Sequence, residues 1–128
     1  MIRWVFLIRY PEGVSTEDGD AWYLGVHAQE ARAMKGLRRY RTWKLAPAPV
    51  GGAGRTQETL NRWARLTEIG FDDFDAWREA VVESPLDLSP APWAEKQVGT
   101  ASGSYVSETI FIGEEPEYDL LEDPPPPS

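Results

Sequence analysis

The chain has 128 residues, a hydrophobic fraction of 41% and a formal net charge of −8. This length favours one domain with one core, and the negative charge argues against binding to nucleic-acid phosphates. The longest apolar run, residues 4–8, is far too short to cross a membrane. The absence of cysteine excludes disulfides and thiolate metal sites, and we expect a cytoplasmic protein with no membrane or nucleic-acid partner.

Acidic residues are concentrated near the C-terminal end. Residues 114–123 carry six carboxylates and no basic residue, and prolines follow them. This composition lacks the apolar content needed to fold alone. We therefore divide the chain into a folded domain, residues 1–113, and an acidic, proline-rich tail, residues 114–128, which can contact a basic protein surface.

The first elements in chain order are a strand and a helix. Residues 2–10 are β-branched and aromatic and have apolar groups on both faces, which predicts a strand covered on both sides. Ser15 or Thr16 can cap a helix over about residues 16–34, which is expected to end near Gly36.

Two further strands and a helix follow. Residues 37–45 alternate between two faces and predict a strand, whereas the Pro/Gly-rich residues 46–59 predict a loop. Residues 61–70 are predicted to be a third strand. Asp72 or Asp73 can then cap a second helix, whose apolar stripe has helical spacing and comprises Phe74, Trp77 and Val81.

The last part of the domain completes a recognisable order. Residues 83–103 are predicted to be irregular, and residues 105–113 predict a fourth strand. The order β-α-β-β-α-β is typical of the ferredoxin-like α+β fold, with an antiparallel sheet and both helices on one face. The other face must be covered, so we expect a homodimer that pairs sheet against sheet as a dimeric α/β barrel.

Two stretches carry a resemblance to a known family. Residues 22–40, WYLGVHAQEARAMKGLRRY, resemble the signature of the EthD-like family of dimeric α/β-barrel proteins, with an aromatic pair, a Val-His-Ala step and a Gly-Leu-Arg-Arg-Tyr run. Residues 64–81, ARLTEIGFDDFDAWREAV, are similar to the third strand and second helix of that family. Gln29 and Lys35 stand where the family usually has proline.

The resemblance implies a fold and a range of activities. Some members belong to catabolic or polyketide gene clusters. Related dimeric α/β barrels include lactone isomerases, aromatic cyclases, decarboxylases or dehydratases, and cofactor-free monooxygenases. Their pocket usually lies between the sheet and the helices of each subunit, and the histidine of the first helix faces it.

His27 is the single histidine and the first candidate catalytic residue. A neutral imidazole can accept a proton and return it near neutral pH, as isomerisation, cyclisation and lyase steps require. The alternative is a hydrogen-bonded core histidine. One histidine without metal-ligand spacing does not predict a metal site, and no cofactor is expected.

Tyr40 and Glu68 are the other candidate catalytic residues. Tyr40 can donate a hydrogen bond to a substrate carbonyl or a developing enolate, or it can be a packed aromatic. Glu68 on an apolar strand face needs a partner: it can orient His27, bind substrate, or pair with an arginine of the second strand. Arg39 can bind a substrate carboxylate or contact a second subunit.

The remaining candidates are aromatic and would bind a hydrophobic ligand. They are Trp22, Tyr23, Trp63 and Trp93, of which Trp93 is the candidate for a lid. Trp77 is expected in the core. The sequence therefore predicts a small cofactor-free enzyme acting on an aromatic or polyketide-like carbonyl compound. The alternative is a non-catalytic binding or accessory protein for an oxygenase system.

Overall fold

A four-stranded antiparallel sheet forms one layer of the molecule. The computed structural model describes residues 1–94, 103–113 and 116–127. Its strands are β1 (Ile2–Arg9), β2 (Arg39–Lys44), β3 (Arg65–Phe71) and β4 (Val106–Ile112). They are arranged in the order β2-β3-β1-β4, and every neighbouring pair is antiparallel. This arrangement confirms the predicted ferredoxin-like α+β fold. The predictions for residues 95–102, 114, 115 and 128 lie outside the described residues.

Helix α1 has three consecutive parts, which are an α-helical part (Thr16–Trp22), a π-helical turn (Tyr23–His27) and an α-helical turn (Ala28–Ala31). Ser15 caps its start, because the Ser15 hydroxyl accepts a hydrogen bond from the backbone N–H of Asp18. The helix ends before the predicted residue 34, because residues 32–34 form tighter i→i+3 bonds. Gly36 follows in the left-handed conformation, with φ of 74°.

A short helix, α2 (Gln57–Leu60), interrupts the segment that was predicted to be a loop. Thr56 caps it by accepting from the backbone N–H of Thr59. Asn61 then bonds both the N–H and the carbonyl of Ala48. The predicted start of the third strand at residue 61 is therefore wrong: Asn61 fixes the preceding loop, and β3 begins at residue 65.

Helix α3 consists of an α-helical part (Phe74–Arg78) and a π-helical turn (Glu79–Glu83). Asp73 is the residue that caps it, with its carboxylate accepting from the Ala76 N–H, while Asp72 pairs with Arg38. As predicted, Trp77 packs in the core, with its ring 5.6 Å from the Trp4 ring and 5.1 Å from the Phe111 ring.

The two faces of the sheet differ in chemistry. The register pairs Trp4 with Ile69 and Phe6 with Thr67, so these side chains share the face beneath the helices. Val5, Leu7 and Glu68 alternate onto the other face, which we call the open face. The open face also carries exposed apolar side chains, namely Trp43, Val106, Ile110 and Ile112.

A carboxylate lies at the centre of the open face and gathers three arginines. Glu68 accepts from Arg41 at 2.9 Å, from Arg3 at 3.3 Å and from Arg39 at 3.4 Å. Its side chain is 6% exposed. Burial raises the pKa of Glu68, but the hydrogen bonds and charges of Arg41 and Arg3 outweigh burial and hold the pKa below its usual 4.5. The predicted alternative of a salt bridge to the second strand is the one the structure contains.

No helix in the described part of the chain is both long enough and apolar enough to cross a membrane.

We expect Glu68→Gln to lower the free energy of unfolding at neutral pH by about 1–2 kcal/mol, because three guanidinium groups lose their shared counter-charge. Since the folded pKa is lowered, this stabilisation is complete above pH 4.5 and is lost as pH falls through the folded value. Urea unfolding across this range measures the difference. Asp72→Asn is the control, because the Asp72–Arg38 pair is 60% exposed on both sides, and it should change stability much less.

Candidate functional site

A cavity of about 200 Å³ lies between the sheet and the two long helices. Its wall is mostly apolar, and none of the described residues that line it is an acid, a lysine or an arginine. The sheet contributes Trp4, Phe6, Tyr40 and Ile69, helix α1 contributes Tyr23, His27 and Ala31, helix α3 contributes Ala80 and Val81, and the segments between elements contribute Met34, Pro85, Leu86, Leu88 and Tyr105.

The π-helical turn of α1 positions the two polar groups that this helix brings to the cavity. The Ala28 N–H bonds the Tyr23 carbonyl, five residues back, which widens the helix by one residue. Tyr23 and His27 are both buried, while Leu24 and Val26 between them are exposed. Both buried side chains therefore face inward. Such turns occur frequently at functional sites.

His27 is surrounded by aromatic rings. The imidazole stacks on Trp22 at 5.1 Å and lies 5.1 Å from the Tyr23 ring. Its Nε2 is 3.5 Å from the Tyr105 hydroxyl, at the outer limit of a hydrogen bond, and its Nδ1 has no partner among the described residues. Which of the two groups donates depends on the tautomer of the imidazole. When Tyr105 donates, Nε2 is the basic nitrogen.

Burial keeps every titratable group of this wall uncharged at neutral pH. It lowers the pKa of His27 below 6.5, which the charge of Glu30 only partly offsets. Burial raises the pKa of Tyr105 to about 12 and raises the pKa values of Tyr23 and Tyr40. The cavity therefore offers one neutral imidazole and three neutral phenols.

A chain of hydroxyl groups runs from the cavity into the sheet. Thr42 donates to the Leu66 carbonyl at 3.2 Å, and Thr67 donates to Thr42 at 3.0 Å. Each hydroxyl has one proton, so the 2.7 Å bond between Tyr23 and Thr67 must be donated by Tyr23. By the same reasoning Tyr40 donates to Tyr23 over 3.1 Å.

This direction determines what Tyr40 can offer a ligand. Its proton is committed to Tyr23, so in this arrangement the Tyr40 oxygen is an acceptor towards the cavity. Rotation of all four hydroxyls would reverse the chain and make Tyr40 a donor, at the loss of the weak bond from Thr42 to Leu66. Donation from Tyr40 to a ligand therefore stays a prediction, and it requires this reversal.

A buried ion pair ends the hydroxyl chain. Arg65 donates to Thr42 and to Asp20, both at 3.1 Å, and Tyr10 donates to the same carboxylate at 2.6 Å. The side chains of Arg65 and Asp20 are 5% and 13% exposed. The Arg65 guanidinium also lies 5.7 Å from the centre of the Tyr23 ring. This pair joins α1 to β3 directly beneath the site.

Comparison of the sequence finds no matching protein family and no matching curated protein. The structure, however, is similar to the crystal structure of an EthD (ethyl tert-butyl ether d) family protein from Bacillus halodurans, with a TM-score of 0.55 and 16% identity. The match covers 90% of this chain and 99% of that one. The chain has the EthD fold. This finding confirms the fold implied by the motif at residues 22–40.

The EthD fold separates two predicted site residues from His27. Glu68 and Arg39 lie on the open face, where they bond each other at 3.4 Å. The sheet itself stands between them and the cavity, so the predicted contact of Glu68 with His27 is absent. Arg39 does not line the cavity that His27 faces, and its two predicted roles, binding a carboxylate or contacting a second subunit, stay predictions.

The predicted tryptophans also lie outside the wall of the cavity. The Trp22 ring stacks on the imidazole of His27, and the centre of the Trp93 ring lies 5.7 Å from the centre of the Trp22 ring. Trp93 donates its indole N–H to the Ser104 carbonyl at 2.9 Å, so it is held in the core and does not form a lid over the cavity. Trp63 lies at another concave surface, with Arg9 and Arg62 on its ring.

Tyr105 is the site residue that the sequence interpretation missed. Alternation along β4 was a usable signal, because residues 105, 107, 109 and 111 share one face, and the register pairs Phe111 with Trp4 on the helix side. Among residues 1–94, 103–113 and 116–127, no group of three or more His, Cys, Asp or Glu side chains could hold a metal ion.

We expect the His27 imidazole to titrate below 6.5 in the folded protein. Because the unfolded chain then binds the proton first, the stability that depends on neutral His27 is complete above pH 6.5 and declines as pH falls below it. NMR titration of the single imidazole and urea unfolding at about pH 7.5 and about pH 5.5 measure both effects. His27→Gln should remove part of this pH dependence, whereas a folded pKa at or above 6.5 would contradict the assignment.

Proposed function

We propose that this chain belongs to the EthD-like family and that its cavity binds a hydrophobic, uncharged small molecule on which His27 performs proton transfer. The observation that carries the proposal is an uncharged imidazole that faces an apolar cavity, beside a chain of hydroxyls that ends on a buried ion pair. Such a cavity, with few polar groups in an apolar wall, is typical of ligand sites.

The proposed reaction depends on which groups of the cavity can accept a proton and which can donate one. His27 Nε2 takes a proton from a carbon next to a ligand carbonyl, and the electron pair of that C–H bond moves to form an enolate. Reversal of the hydroxyl chain lets Tyr40 donate to the enolate oxygen, while Arg65 stays bonded to Thr42. Return of the proton from the imidazolium to the γ-carbon of a conjugated enolate gives an isomerised product. For cyclisation, the enolate carbon instead attacks a second carbonyl carbon of the ligand, and the imidazolium protonates the alkoxide that forms. For a lyase step, the enolate expels a β-substituent, which leaves with the proton of the imidazolium.

The ligand class follows from the wall. Among the residues that the structure describes, no side chain of the wall is charged, so an ionised ligand would lie there without a counter-charge at a large cost in free energy. The aromatic rings favour a flat ligand. An aromatic or polyketide-like carbonyl compound fits both conditions, and the reaction as written needs no cofactor.

A second candidate function is binding without chemistry, as an accessory protein of a catabolic or biosynthetic oxygenase system. The observation that favours it is the contact from Tyr105 to His27 Nε2, since a ligand must displace this phenol before Nε2 can act. In that case the ligand would bind with its protons unchanged.

The two candidates are distinguished by deuterium exchange. In D₂O, the wild-type chain should accelerate exchange of the α-protons of hydrophobic aromatic diketones, and His27→Gln should lower the accelerated rate by about 10²-fold or more. Tyr40→Phe should lower it less, and it should leave ligand affinity, followed by tryptophan fluorescence, within a few-fold. Arg55→Gln, on an exposed loop, is the control. Binding without any acceleration would favour the accessory function, and an unchanged rate in His27→Gln would refute the role of His27.

We also propose that two copies pair through their open faces. The apolar side chains on this face support the proposal, because a sheet face with Trp43 and Ile110 exposed is costly in water. The Glu68–arginine group near the centre would be buried further in such a pair. A second copy is the occupant with matching chemistry, since a two-fold axis brings the same apolar side chains together.

Size-exclusion chromatography of matched variants tests the pairing. Ile110 on the open face is 61% exposed and Val82 on helix α3 is 57% exposed. We expect the wild-type chain and Val82→Lys to elute as dimers, and Ile110→Lys to elute as a monomer at the same micromolar concentration. A wild-type monomer, or an Ile110→Lys dimer, would contradict the proposal.

A further inference from the structure

A second concave surface, which we call the basic groove, lies at the end of the sheet where β1 and β2 end and β3 begins. It encloses about 420 Å³. Its lining includes three basic side chains, Arg9, Lys44 and Arg62, together with the indole of Trp63. No carboxylate is among the residues that line it.

The arginines of the basic groove share one aromatic ring. The guanidinium carbon of Arg9 lies 5.4 Å from the centre of the Trp63 ring, and that of Arg62 lies 5.3 Å from it. Cation–π contacts of this kind hold each guanidinium in place. The positive charges of Arg9 and Arg62 are therefore held close together, and Lys44 lines the same groove.

These charges are not neutralised by the surrounding protein. In the part of the chain that the structure describes, no ion pair or side-chain hydrogen bond is formed by Arg9, Lys44 or Arg62. The nearby carboxylate of Asp20 is already bonded to Arg65 and Tyr10. The groove thus presents fixed, uncompensated positive charge in a chain whose net charge is −8, which makes it a site for an anionic group.

We propose that the basic groove binds the acidic tail of a second copy of this chain. The tail supplies the complementary charge, because six of its residues between 114 and 123 are carboxylates. Among its described residues, Asp119 and Asp123 bond only backbone N–H groups of the tail itself. Leu120 and Leu121 are 75% and 91% exposed. Acidic and apolar groups of the tail are thus available for a partner surface.

The geometry points to a second copy and away from the chain's own groove. The tail leaves β4 at Ile112, which pairs with Arg3, whereas the groove begins at Arg9, six residues further along β1. This separation is about 20 Å along the strand, so the chain's own tail would have to be largely extended to cross it, whereas residues 119–123 form a turn. No hydrogen bond or ion pair joins the described tail to its own groove. Arg9 lies on the open face opposite Val106, so a copy that covered the open face would border the groove.

This proposal goes beyond the chemistry of the cavity and requires no property of His27. It does rest on association of two copies, which chromatography measures separately. The tail contact can therefore fail while the pairing of the sheets holds.

Disulfide trapping in the full chain tests the proposal, since the sequence contains no cysteine. Leu121→Cys labels the tail without changing its charge, and Ala46→Cys labels the groove lining. After the two variants are mixed and oxidised at low salt, we expect a disulfide between copies, identified by peptide mass. It should form about tenfold faster than the disulfide between Leu121→Cys and Val82→Cys, because charge attraction concentrates the tail at the groove. About 0.5 M salt should remove most of this difference.

Charge exchange shows whether the basic residues cause the contact. Adding Arg9→Glu and Arg62→Glu to the Ala46→Cys chain should reduce trapping to the rate of the Val82→Cys control. Adding Glu117→Lys and Asp119→Lys to the Leu121→Cys chain should then restore it. Trapping that stays at the control rate, or that ignores the charge reversal, would overturn the proposal. Two other results would also overturn it. One is a chain with both cysteines that forms its disulfide only within the same copy. The other is a groove that binds inorganic phosphate although no disulfide forms between copies.

Discussion

The buried ion pair between Asp20 and Arg65 is the interaction on which the site depends. The two charges stabilise each other in this buried position, and each partner has a further hydrogen bond: Asp20 also accepts from Tyr10, and Arg65 also donates to Thr42. The pair fixes helix α1 over β3 in one rotation and one height. That placement sets Tyr23 over the Arg65 guanidinium and, one π-helical turn later, directs His27 into the cavity.

The sheet then divides the chemistry of the chain between two faces. The strands could be predicted from sequence, because they are short runs of β-branched and aromatic residues. The order of strands and helices along the chain then predicted the fold. What sequence alone left open was the role of each polar residue on those strands. Thr67 faces the helices and joins the hydroxyl chain, whereas Glu68, one residue on, faces away and gathers arginines. Its three arginine partners come from the two neighbouring strands, β1 and β2, and only the register identifies them.

The candidate site could be predicted only in part from the sequence. His27 and Tyr40 could be selected because imidazole and phenol groups are few and both fall on elements that border the helix–sheet interface. The π-helical turn could not be predicted, since it depends on packing of the whole helix and leaves no local sequence signal. Trp63 was selected as a large aromatic side chain and Trp93 also for its place in an irregular segment, and neither signal distinguishes a cavity wall from a core or a surface groove. Tyr105 was missed although its strand parity placed it on the helix side.

The hydrogen-bond directions limit the ligand more closely than the shape of the cavity does. When each hydroxyl of the chain donates in the direction derived from Thr42 and Thr67, the Tyr40 oxygen accepts from a ligand. His27 Nε2 also accepts once Tyr105 is displaced. The two groups together match a ligand that carries hydroxyl donors, such as an enol, better than one that carries only carbonyls. A carbonyl form is accommodated only by reversal of the chain, which weakens one bond, that from Thr42 to Leu66. The small difference between these two arrangements is what allows the same site to hold both tautomers of a ligand during proton transfer.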